Sequence, residues 1–326
     1  MTIRRLRDTI WRKRLRAIER AWPAAGRGDP EGVHRLRVAL RRVHEALPVV
    51  SDGRHPRREK RARRKGRSLR RLLGPVRERD VSLALLAHLN ERQADHRSAI
   101  RLVHQRIQGE RQDLGRDLDA NLSSVDVEEL VRKLSRAVGS TKDADDDVAR
   151  LARGRWELAL ATRVVRRARQ LEQAVDRAGP LYAPDRLHGV RVRAKKLRYA
   201  LEFGHEARLW RWASQLRSLK QIQETLGQLQ DREALLDRVR ASAQATVGLA
   251  EESEGLARLS RLLEEEARGF HAEFLRRRVR LLKLCATVRR QATQALPIGR
   301  PAPQPLSEAP DPRATEENAH VPVSKH

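Results

Sequence analysis

The chain has 326 residues, and its 70 lysine and arginine residues outnumber its 43 aspartate and glutamate residues, giving a formal net charge of +27. Such a balance indicates a polyanionic partner, such as nucleic acid, an acidic membrane surface or inorganic phosphate chains, without choosing among them. The single cysteine, Cys285, excludes an internal disulfide and a cysteine-rich zinc site.

Apolar residues recur at helical spacing along residues 2 to 296, β-branched runs are few, and glycine or proline falls where helices would connect. The pattern predicts an all-α protein with helices at about 2–24, 30–47, 56–73, 79–108, 125–138, 148–178, 184–204, 208–226, 230–249 and 255–294. No stretch approaches the about 18 apolar residues of a membrane span, and no signal peptide is evident, so we expect a cytoplasmic protein.

One motif occurs twice, 154 positions apart: residues 30–42 read PEGVHRLRVALRR and residues 184–196 read PDRLHGVRVRAKK. The register extends outside the motif, because Arg12 and Lys13 fall opposite Arg166 and Arg167. The repeat predicts two related halves, at about 1–146 and 147–296, joined at the acidic stretch 141–147. Residues 297–326 hold seven of the 14 prolines and are predicted to be a disordered tail.

Each copy of the motif is predicted to open a helix, with Pro in the first turn and Asp29 as the N-cap of the first copy. At 100° per residue, the apolar residues form one seam, and a basic stripe lies about a quarter-turn away. The stripe holds His34, Arg37, Arg41 and His44 in the first copy and His188, Arg191, Lys195 and Arg198 in the second. Because the stripe borders the buried seam, it can line a groove between helices, where arginine and lysine would bind phosphate groups. The alternative is an ordinary solvated face.

The segment 56–73, PRREKRARRKGRSLRRLL, carries ten basic residues and one glutamate, and in isolation it is typical of a nucleic-acid or targeting patch. Its counterpart at 210–226 keeps Arg217 and Lys220 opposite Arg64 and Arg67. We therefore expect these four residues to face the same groove as the stripes.

The segments HRLRVALRR at 34–42, LLGPVRERDV at 72–81, LHGVRVRAKKLRYALEF at 187–203 and LGQLQDREALL at 226–236 together resemble the CHAD family, the conserved histidine α-helical domain, over residues 1 to about 296. The resemblance implies two pseudosymmetric helical bundles that enclose a basic central channel and bind inorganic polyphosphate without catalysis, at bacterial polyphosphate granules. By motif match, the implied binding residues are His34, Arg37, Arg41, Arg42, His188, Arg191, Lys195, Lys196, Arg198 and Tyr199.

Two features depart from the family pattern. Glu78 stands where the first-half motif usually has aspartate, which puts local geometry in doubt. The Glu-x-Glu-x-Lys signature of the CYTH triphosphatase domain that often accompanies this family is absent, so the chain resembles a free-standing binder.

Two other functions compete with polyphosphate binding. Glu31 with His34, and Asp185 with His188, have the spacing of an acid/base pair, but the surrounding cations disfavour a metal ion, and we expect no enzyme activity, no metal and no cofactor. Nonspecific nucleic-acid binding is the stronger alternative. Single-strand binders stack bases on aromatic residues, however, and only 10 of the 326 residues are aromatic.

Overall fold

The computed structural model describes residues 3–51, 55–138, 146–245 and 250–294, and within these ranges the regular structure is entirely helical. The helices are α1 (Ile3–Gly26), α2 (Pro30–Val50), α3 (Pro56–Arg92), α4 (Arg97–Ser123), α5 (Val127–Arg136), α6 (Asp146–Ala178), α7 (Pro184–Glu206), α8 (Ala213–Ala245) and α9 (Ala250–Gln294), with a 3₁₀ turn at Ala94–His96. The all-α prediction is confirmed. The predicted tail at 297–326 and most of the predicted junction at 141–147 lie outside the described residues.

The helices pack in the same order in both parts of the chain. Helix α1 packs on α2, α2 on α3 and α3 on α4, and α6, α7, α8 and α9 pack successively in the same way. Contacts between the two parts join α2 to α6 and α7, α4 to α9, and α3 to α8. None of the described helices combines the length and the apolar composition that a membrane-crossing helix needs.

The start of α2 follows from its sequence. The Asp29 side chain accepts a hydrogen bond from the Gly32 backbone N–H at 2.6 Å, and Pro30 occupies the first turn, so the predicted N-cap is confirmed. Gly32 also lets α1 approach closely, since a Cβ there would lie 2.6 Å from the backbone of Ala24 and Ala25. This close packing fixes the motif helix on α1.

Two hydrophobic cores hold the fold together. The larger core contains residues of α1, α2, α5, α6 and α7 together with one end of α3, α4, α8 and α9. The smaller core contains residues from the other end of those same four helices. Between Val76 and Leu85 on α3, and between Leu229 and Leu235 on α8, no apolar side chain is fully buried. The two helices are therefore polar where they pass from one core to the other.

Several predicted helix boundaries are wrong. The predicted break at Gly74-Pro75 does not occur, because Leu73 and Val76 on either side are fully buried and hold α3 continuous. The break comes instead at residues 93–96, inside the predicted helix 79–108. Helix α8 likewise runs through the predicted break at 227–229, and it begins at Ala213 rather than at 208 because Arg208, with φ of 55°, lies in the left-handed region after α7.

Candidate anion-binding site

The two motif helices, α2 and α7, bring their basic stripes together. Arg41 of α2 interacts electrostatically with Arg191 and Lys195 of α7, and His34 of α2 interacts with Lys195. The stripes of the two motif copies therefore lie on one site rather than on two separate surfaces, over the polar stretches of α3 and α8.

Helix α3 adds two arginines to this site. Arg70 interacts with Arg41, and Arg77 interacts with His34 and Arg37. We call the six cations of the site the central cluster, and its members are Arg37, Arg41, Arg70, Arg77, Arg191 and Lys195.

Burial makes the positive charge of the central cluster costly. Burial, together with repulsion from Arg191 and Arg41, lowers the pKa of Lys195 to about 6, although Asp231 opposes the shift. Burial, with repulsion from Arg41 and Arg70, lowers the pKa of Arg37 to about 10. The site thus holds its cations against both desolvation and mutual repulsion.

The described carboxylates do not pair directly with these cations. Among the described residues, no carboxylate forms an ion pair with any member of the central cluster, and Arg41 and Arg77 make no hydrogen bond. The nearest carboxylates act at longer range. Burial raises the pKa of Asp231 although Arg191 and Lys195 lower it, and Glu78 pairs with Arg238 at 3.0 Å. The described part of the chain therefore supplies the cations of an anion site without their counter-ions.

Two glycines face the arginines of the repeated motif. A Cβ on Gly74 would lie 3.3 Å from Nη1 of Arg37, and a Cβ on Gly227 would lie 3.7 Å from Nη2 of Arg191. Nη1 of Arg37 donates to the Arg70 carbonyl oxygen at 3.0 Å. The Leu-Gly pairs at 73–74 and 226–227, which keep nearly the register of the repeat, thus have matching positions beside the motif arginines on α3 and α8.

The two motif histidines differ in environment. His34 is half-buried, and burial together with Arg77 lowers its pKa, while Glu31 opposes this shift. It also lines a cavity of about 540 Å³ between α1 and α2, so solvent reaches this edge of the site. His188 is exposed, and its Nδ1 lies 2.5 Å from Oε1 of Gln230, which occupies the position equivalent to Arg77.

Three of the arginines predicted to bind are engaged in ion pairs. Nε of Arg42 lies 3.1 Å from Glu202, Nε of Arg198 lies 3.4 Å from the same carboxylate, and Nη2 of Arg167 lies 2.9 Å from Glu45. These arginines have carboxylate partners, whereas the central cluster has none among the residues that the structure describes.

Two further predicted residues border the central cluster. Tyr199 is buried beneath the guanidinium of Arg198, 5.2 Å from its ring centre, and close enough to Arg70 and Arg191 to interact with both. Burial and the nearby Arg167 lower the pKa of Lys196, which Glu45 opposes.

The remaining predicted residues are exposed and lie outside the central cluster: Arg12, Lys13, Arg64, Arg67, Arg166, Arg217 and Lys220. Arg67 interacts with Arg70 from the rim, and Lys220 lies 3.6 Å from Glu224. The structure thus places these residues on the surface around the site rather than inside it.

Sequence reasoning missed Arg70, Arg77 and Asp231. Arg70 and Arg77 lie opposite Gln223 and Gln230 in the register of the repeat, so matching the charges of the two copies could not select them. The signal was present in the segments LLGPVRERDV and LGQLQDREALL, which contain Arg77 and Asp231. Among the described residues, no group of three or more His, Cys, Asp and Glu side chains is placed to hold a metal ion.

The comparisons with known proteins agree with this architecture. A family model described as the CHAD domain matches residues 9–240. The chain is similar to a crystal structure of the CHAD domain from the plant Ricinus communis, with a TM-score of 0.56 and 23% sequence identity over 91% of this chain and 93% of that one. At that identity the likeness shows a common fold. No curated protein matches the chain.

Proposed function

The chain belongs to the CHAD domain family, and on that premise we propose that its central cluster binds inorganic polyphosphate and that the protein is a binder rather than an enzyme. The observation that carries the proposal is the absence of any ion pair between the central cluster and the carboxylates of the described residues. Partly buried cations without counter-ions are costly, and a bound polyanion would offset that cost.

The arrangement of the cations favours a thin, continuous chain of charge. Members of the central cluster come from α2, α3 and α7, so a ligand that reaches all of them must run across several helices. Guanidinium groups bind phosphate oxygens through two parallel hydrogen bonds, and lysine acts as a point charge. A linear polyphosphate matches this pattern because it carries negative charge along its whole length.

Nucleic acid is the alternative polyanion, and the aromatic residues argue against it. Trp11, Trp22, Trp156 and Trp212 are buried in the core, and Trp210 is stacked on Trp212. Tyr199 is also buried, and Tyr182 donates its hydroxyl to Glu233. Tyr199, which interacts with Arg70 and Arg191 of the central cluster, therefore offers no exposed face on which a base could stack, whereas a phosphate chain needs none.

We also propose that the site arose by internal duplication and forms one channel shared by the two halves. The shared packing order of α1–α4 and α6–α9 supports the duplication, and so do the matching positions of Arg37 over Gly74 and of Arg191 over Gly227. The cytoplasmic polyphosphate granule is the proposed location, since that is where such a ligand is concentrated.

A competition titration tests the proposal. Labelled long-chain polyphosphate bound to the protein is displaced at physiological salt by unlabelled polyphosphate, single-stranded DNA, duplex DNA or heparin. We expect polyphosphate to compete at least about tenfold better per phosphate than DNA, and its affinity to fall steeply with salt because bound counter-ions are released. Equal competition by DNA would support the nucleic-acid alternative, and a flat salt response would contradict a multi-cation site.

A further inference from the structure

Lys195 differs from the other lysines of the chain in its surroundings. It is partly buried at the centre of the central cluster, and it forms no hydrogen bond and no ion pair with the described residues. Lys220, by contrast, is exposed and has a carboxylate partner, Glu224, at 3.6 Å.

The groups that face Lys195 are mostly cationic. Helix α2 contributes Arg41 and His34, α7 contributes Arg191 and Arg198, and α8 contributes the single carboxylate, Asp231. Because burial and these cations disfavour the ammonium form, the pKa of Lys195 is lowered to about 6, and at neutral pH its amine carries a free lone pair.

A nucleophilic amine thus lies inside an anion-binding site. The same guanidinium groups that repel a proton from Lys195 attract a small phosphate-bearing molecule, and Arg41 and Arg191 have donors free to hold its phosphate. A reagent whose electrophilic carbon adjoins a phosphate would be held with that carbon beside the amine.

We propose that Lys195 is a site of acylation by small acyl phosphates. The Nζ lone pair attacks the carbonyl carbon of the acyl phosphate, and an amide bond forms. The bond between that carbon and the oxygen that bridges to phosphorus breaks. Inorganic phosphate leaves, and the proton lost from nitrogen passes to solvent. Acylation prevents Lys195 from becoming charged and adds bulk in the site, so it weakens polyanion binding.

The acylation itself follows from the geometry around Lys195, and its effect on polyphosphate binding rests on the proposed function. Native protein is treated with acetyl phosphate at pH 7, and the modification rate of each lysine is measured by mass spectrometry. We expect Lys195 to react at least about tenfold faster than Lys220, because a larger share of its amine is unprotonated and because Arg41 and Arg191 hold the phosphate of the reagent beside it. The preference should disappear in urea, and saturating polyphosphate should suppress it.

Three outcomes would overturn the proposal: equal rates at Lys195 and Lys220, a preference that persists in urea, or an equal preference with the uncharged reagent acetyl N-hydroxysuccinimide ester. Treated wild-type protein should bind polyphosphate about tenfold more weakly than untreated protein, whereas the variant Lys195→Arg should bind equally before and after treatment. If untreated wild-type protein fails to bind polyphosphate, the proposed function is wrong while the acylation rates still decide the inference.

Discussion

The interface between α2 and α6 also contains buried arginines, but there the arginines are paired with a carboxylate. At the interface, Glu45 is buried and accepts ion pairs from Arg163 at 2.7 Å and from Arg167 at 2.9 Å. Burial opposes ionisation of Glu45, yet the two arginines outweigh it and lower its pKa. In the central cluster, the partly buried arginines form no ion pair with any carboxylate in the described part of the chain.

The difference separates a structural role from a binding role. A buried ion pair helps to hold two helices in place while both charged groups are present. Removing one of the two groups leaves the other as an uncompensated buried charge. A cluster without partners destabilises the ligand-free protein and becomes favourable only when an anion binds. Charge compensation, rather than residue type, therefore distinguishes the two regions.

The largest expected effect follows from breaking the compensated region. Glu45→Gln leaves Arg163 and Arg167 without their carboxylate, and we expect the free energy of unfolding to fall by about 3–5 kcal/mol in urea denaturation. The matched control is Glu224→Gln, which removes an exposed partner of Lys220 and should change stability by less than about 0.5 kcal/mol. Equal losses of unfolding free energy in the two variants would show that the ion pairs of Glu45 stabilise the protein no more than an exposed ion pair does.

The next effect concerns binding rather than stability. The double variant Arg41→Gln plus Arg191→Gln should weaken polyphosphate binding by about 100-fold, or about 2.7 kcal/mol, without lowering the unfolding free energy. Isothermal titration and urea denaturation measure the two quantities. The control Arg258→Gln plus Arg268→Gln removes the same net charge from exposed positions on α9 and should change affinity much less. Similar losses of affinity in both variants would mean that net charge alone drives binding.

A smaller effect is expected from pH. In the free protein Lys195 is largely neutral above its pKa of about 6, and a bound polyanion raises that pKa, so binding takes up a proton. Affinity should therefore rise as pH falls from 8 to 6, by up to about tenfold for each unit by which binding raises the pKa, and level off below 6. Lys195→Met should flatten the dependence of affinity on pH more than His34→Gln does. The pKa of His34 also lies below its ordinary value. If the affinity of Lys195→Met keeps the full pH dependence, the proton taken up on binding goes to another group.

The sequence predicted the helical class and the Asp29 cap, because these depend on local periodicity and on capping residues. A single site shared by the two motif copies was implied only by the resemblance to the CHAD family. Sequence reasoning failed where packing overrides local preference. Helix α3 continues through Pro75 because buried neighbours on both sides hold it. The pairing of Arg42 with Glu202 joins residues 160 positions apart, so the sequence could not distinguish compensated from uncompensated arginines. Arg77 was missed for a related reason, since its importance comes from a contact with α2 that the repeat does not reveal.

The exposed N-terminal part of α3 provides the sharpest test of where the polyanion binds. Arg61, Arg64 and Arg71 are exposed there and make no ion pair with the described residues, so they are the alternative location at which a polyanion would bind. The two locations differ in burial, and chemical modification of arginine can distinguish them residue by residue.

The most direct measurement is therefore arginine footprinting with phenylglyoxal, read by mass spectrometry in the absence and presence of saturating polyphosphate. We predict strong protection of Arg41, Arg77 and Arg191, little change at Arg61 and Arg64, and no reaction of the buried, paired Arg163 in either state. Protection confined to the exposed arginines of α3, with Arg41, Arg77 and Arg191 equally reactive in both states, would contradict the assignment of the central cluster as the polyanion site.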